Sequence, residues 1–140
     1  MFLENIRFYS KMNTQQSPND FVVWIPKVQN KDELYNKLRE SLKFPDDFGN
    51  NWDAFRELFY YINDVEPLNI HIFHQSIADI VPTWDIAMYL SIINEISSGE
   101  INDLEHVFYF YFNNEEFDII AKYWPGKLDT NMLHGFQETL

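Results

Sequence analysis

Asp53 and Glu57 lie four residues apart within FPDDFGNNWDAFRELFYYI, Phe44 to Ile62, and on a helix that spacing puts both carboxylates on one face. Two such acids could share a proton in acid–base work, bind a cation, or face a positively charged protein. The first use needs an apolar pocket to raise one of the two carboxyl groups, as in glycoside hydrolysis, and the stretch shows none. Like charges at this spacing repel by a few tenths of a kcal/mol on an isolated helix, so stability alone does not call for the pair. Asp53 is favoured by the helix dipole because it falls in the first turn, whereas Glu57 lies beyond that turn. Tyr60 and Asp64 continue the same face, and Asp46 and Asp47 precede it in the loop. Together they make a concentrated negative field suited to a cationic partner.

Other constellations are weaker. His71 and His74, three apart in a strand, point to opposite faces and read as core or surface histidines, with no zinc site. His106 and His134 belong to unrelated segments. Asp46-Asp47 falls short of a Ca²⁺ loop, and glycines at 49, 99, 126 and 135 form no phosphate loop. No cofactor is expected.

The positioning elements follow from pattern. Pro45 and Gly49 close a loop, Asn50 or Asn51 caps a helix running to about Ile62, and Trp52, Phe55, Phe59 and Ile62 form its apolar face. Before it, FVVWIP (21–26) predicts a first strand buried on both faces. A helix over Lys31 to Lys43 follows, with Asn30 and Glu33 as a capping box and Leu34, Leu38 and Leu42 facing inward. After it, NIHIF (69–73) alternates apolar and polar positions as a second strand, and Trp84 to Ser97 forms a third helix with Ile86, Tyr89, Leu90, Ile93 and Ile96 inward. VFYFYF (107–112) is a third strand that needs cover on both sides, and Asn114 opens a short helix to Lys122. Residues 2–9 fit a short strand or an edge helix equally. The order βααβαβ, with connections long enough for crossovers, predicts an α/β fold with a small three-stranded parallel sheet packed by helices. No repeat or linker divides residues 1–140, which are expected to form one domain.

Composition bounds the partner. The 140 residues carry a formal net charge of −12, which argues against nucleic acid and anionic membranes and favours a basic partner. With 18% aromatic residues, the chain has more rings than a small core needs, so some are expected at a surface or interface. There is no cysteine, no apolar run long enough to span a membrane and no signal-peptide pattern, and the protein is expected to be cytoplasmic.

The segment LKFPDDFGNNWDAFRELF resembles the signature of the barstar family, small intracellular inhibitors of secreted ribonucleases. Pro45, Phe48, Gly49, Asn51, Asp53 and Ala54 match it at fixed spacing, and the element order of residues 21–112 is similar. Residues 1–20 and 113–140 are extensions beyond the resemblance. It implies an inhibitor of a basic ribonuclease, of bacterial immunity or antitoxin type and not an enzyme, that lays its acidic loop and second helix into the phosphate-binding site as a monomer in a 1:1 complex. Carried over, Asp53 is the first-turn carboxylate, Glu57 takes the place of a second family acid, and Gly49, Asn51 and Trp52 fall at contact positions. Asp47 and Arg56 stand where the best-known member has aromatic contacts, Tyr60 completes the face, and Glu95 is a candidate outlying acid. These departures support an alternative, an interaction module on the same scaffold that binds a different basic protein.

Overall fold

The structure, a computed structural model, describes residues 5–10, 20–42, 51–59, 69–97, 107–126 and 128. The strands are β1 (Ile6–Tyr9), β2 (Asp20–Ile25), β3 (Asn69–His74) and β4 (Val107–Asn113). The helices are α1 (Lys31–Leu42), α2 (Trp52–Leu58), α3 (Thr83–Ser97) and α4 (Phe117–Tyr123). All strand pairs are parallel, in the order β1-β4-β3-β2. The α/β class and parallel pairing agree with the sequence reading, but the sheet has four strands, not three. The ambiguous residues 2–9 supply the extra one: IRFY pairs along β4 from Ile6 opposite Phe110 to Tyr9 opposite Asn113.

Period-two alternation sorts the strands onto two faces. Ile6, Phe8, Val23, Ile25, Ile70, Ile72, Phe108, Phe110 and Phe112 join the inward residues of all four helices in one buried cluster. Tyr9, Phe73 and Tyr111 form a smaller cluster on the other face, with Val22 and Tyr109 against it. Each fully buried Phe or Ile of the main cluster contributes about 2 kcal/mol by leaving water.

One strand expectation is corrected. FVVWIP was expected to be buried on both faces, yet β2 is an edge strand whose Trp24 is 40% exposed. NIHIF forms a strand as expected, an interior one that is buried from Ile70 to His74. Its histidines are tolerated inside because every ring nitrogen has a partner. His71 Nδ1 meets the Tyr111 hydroxyl at 2.8 Å and Nε2 meets Asp20 at 2.9 Å. Arg7 donates to that same Tyr111 hydroxyl at 3.2 Å. Arg7 on β1, Tyr111 on β4, His71 on β3 and Asp20 on β2 thus form a polar chain across every strand of the sheet.

The helices lie close to expectation. Asn30 Oδ1 caps α1 by accepting from the Glu33 N–H at 2.9 Å. Helix α4 is entered through a 3-10 turn at Asn114–Glu116 that Asn113, not Asn114, caps by accepting from the Glu115 N–H; α4 itself starts from Glu116 with no side-chain cap. Phe8 packs edge-on against Phe117 with ring centroids 5.0 Å apart, so α4 lies on the helical side of the sheet.

Candidate acidic docking face

The face is built on α2. Asn51 is the N-cap: its extended backbone (φ −138°, ψ 163°) lets Oδ1 accept from the Ala54 N–H at 2.8 Å. That cap fixes where the helix starts and therefore which side chains turn inward. Phe55 and Leu58 enter the core, and Phe59, the C-cap, packs edge-on against Phe108 at 5.3 Å. The described part of the helix reaches that residue, and Asp46, Asp47, Gly49, Tyr60, the expected end near Ile62 and Asp64 lie outside the described residues.

Among the predicted site residues that are described, the structure brings Asp53, Arg56, Glu57 and Glu95 to the outer side of α2 and α3, beside Asn51 and Trp52. Asp53 is almost wholly in water, its side chain 94% exposed. Glu57 is exposed and has no ion pair among the described residues. Nothing shields either carboxylate as an acid–base pair would require.

Arg56 binds within the chain. Its guanidinium lies 3.4 Å from both oxygens of Glu95 and 3.9 Å from Asp53, so it stitches α2 to α3. The pair is partly solvated, with Arg56 42% and Glu95 36% exposed, and contributes no more than about 0.5–1 kcal/mol. It spreads one positive charge over two acids and leaves the face net negative. Trp52, at the edge of the core, is half-buried, stacks edge-on with Phe55 at 5.1 Å and donates through Nε1 to Asp85 Oδ1 at 2.9 Å. Asp85 and this second link between α2 and α3 escaped the sequence reading; the only signal was an acid in the first turn of α3.

Elsewhere, His71 and His74 point to opposite faces, as expected, and both are buried. His74 donates through Nδ1 to the Tyr111 carbonyl at 2.9 Å and accepts at Nε2 from the Tyr89 hydroxyl at 2.6 Å. Burial lowers both histidines, His74 to about 4, and for His71 the contact with Asp20 works against that fall. Burial also pushes the Tyr9 hydroxyl up to about 12. No three metal-ligating side chains converge among the described residues. None of the described helices is long and apolar enough to cross a membrane.

A parallel α/β sheet with an acidic helix held at its surface defines the class: a scaffold that presents a preformed negative face. The Barstar (barnase inhibitor) family model matches residues 19–111, about two-thirds of the chain, and the chain belongs to this family. The match covers β2 through most of β4 and leaves β1 and α4 outside. No curated protein and no solved structure matched the sequence.

Proposed function

We propose that the chain inhibits a basic ribonuclease by laying the α2 face over the enzyme's phosphate-binding site, as an immunity-type protein in a 1:1 complex. The observation that carries this reading is the exposed pair Asp53 and Glu57 on the capped helix of a Barstar-family fold. Asn51 fixes the start of the helix backbone that carries the carboxylates, so on binding the ordering cost falls on their side chains. They draw a cationic active site in from solution, and on docking they occupy the positions that substrate phosphates would take. Asp47 and Gly49 are assigned to the same face by the family resemblance and Tyr60 by helical spacing, and no catalytic role is proposed for any residue.

The test is titration of barnase with the purified chain, reading RNA hydrolysis and the dissociation constant at low and high salt. Inhibition that weakens with salt, and falls at least about a hundredfold in Asp53→Ala/Glu57→Ala, is the expected result. Arg56 favours a second reading, in which the scaffold serves a different basic protein, because it puts a cation beside the acids. Unimpaired RNA hydrolysis at saturating chain would turn the choice to that reading.

A further inference from the structure

Trp84 is the most exposed large apolar side chain among the described residues, at 65%. It occupies the second position of α3, beside exposed Val81, Pro82 and Thr83. A tryptophan in water gives up burial worth about 2–3 kcal/mol, and nothing in the fold requires it there. Its neighbours Ile86, Tyr89 and Leu90 turn into the core, so the helix could have buried Trp84 only by rotating those residues out.

The position of Trp84 on α3 relates it to the acidic face. Residues 84, 88, 91 and 95 follow at steps of four, three and four, which at about 100° per residue keeps them within roughly 60° of arc. Trp84, Met88, Ser91 and Glu95 therefore form one stripe, none of them fully buried. The stripe borders α2 at its far end, where Glu95 meets Arg56. Near its start, Asp85 accepts the hydrogen bond of Trp52, the first residue of α2. Two separate contacts thus hold α2 and α3 in fixed relation, so Asp53, Glu57 and Trp84 are carried on one linked helix pair.

We infer that the Trp84–Met88 half of this stripe is a second contact for the same partner, an aromatic anchor beside the acidic contact. This rests on the inhibitor reading above. The chemistry favours a basic protein as the occupant: in a chain of net charge −12, with Asp85 next to it in sequence, the exposed ring can accept a guanidinium or ammonium over its face, an attraction that a neutral apolar partner would not use. Met88 adapts its shape to whatever lies next to the ring. The acids steer the partner, and Trp84 contributes buried area once it has docked.

The experiment measures barnase binding to the wild type, Trp84→Ala, Trp84→Phe and Asp53→Ala/Glu57→Ala across a salt series, with circular dichroism as a check on folding. Trp84→Ala is expected to bind roughly tenfold or more weakly with the salt slope unchanged, and Trp84→Phe to recover part of the loss. The double acid variant is expected to flatten the salt slope instead. A Trp84→Ala variant that binds as tightly as wild type overturns the anchor and leaves the inhibitor reading standing. Failure of the wild type to bind overturns the inhibitor reading and the anchor with it.

Discussion

His74 keeps a single proton because its two neighbours demand opposite roles of the ring. The Tyr111 carbonyl can only accept, which fixes the proton on Nδ1, and the Tyr89 hydroxyl fills the Nε2 lone pair. A second proton would have to displace the Tyr89 hydrogen inside the core, so burial holds the group near 4, against its ordinary 6.5. In the unfolded chain the ring protonates as the pH falls below 6.5, while the folded ring resists until about 4. The unfolded state therefore binds more protons in this window, and stability is lost as the pH falls through it. Between about pH 7.5 and about pH 5 the loss owed to His74 is about 2 kcal/mol. Urea unfolding at the two pH values checks this. The wild type should lose about that much more than His74→Gln, which lacks a titrating ring, and equal losses in the two would assign the pH dependence to other groups.

Within the elements, α2 was legible because its signals are local. Asn51 caps three residues ahead, the inward residues recur at helical steps, and Asp53 and Glu57 fall on the opposite side. The cross-links that place α2 were not legible, because Arg56 finds Glu95 across 39 residues and Trp52 finds Asp85 across 33. Strand depth misled for a related reason. Hydropathy made FVVWI look buried on both faces, whereas an edge position leaves Trp24 in water and paired histidines let β3 lie inside. The Arg56–Glu95 link carries a prediction of its own. Arg56→Gln removes a cation from the face and its contact with Glu95, at a stability cost no greater than about 1 kcal/mol because the pair is partly solvated. Association with a basic enzyme should then be a few-fold faster at low salt, with a steeper salt dependence. Stopped-flow mixing with barnase measures both, and slower association would mean that Arg56 itself contacts the partner.

At the scale of the molecule, the elements outside the family match close the core of the part inside it. Without β1, β4 would be a bare edge with unpaired backbone groups and uncovered rings. β1 fills that edge, Phe8 reaches Phe112 at 6.0 Å and Phe117 at 5.0 Å, and the Arg7–Tyr111–His71–Asp20 chain fastens the new strand across to the far edge. Glu116 ties the start of α4 to the turn after β3, accepting from the Ser76 hydroxyl at 2.6 Å and the Ile77 N–H at 3.0 Å. β1 and α4 therefore stabilise each other through the Phe8–Phe117 contact as well as through the sheet. Phe8→Ala should cost about 3–4 kcal/mol, and Phe117→Ala about 3 kcal/mol because it is slightly less buried. Both rings lose part of the same contact, so the double variant should be less destabilised than the sum of the singles by about 0.5–1.5 kcal/mol. Urea unfolding of the four proteins in the cycle gives this coupling. A value indistinguishable from zero would mean that the two added elements are stabilised independently, each by the sheet or by α3 alone.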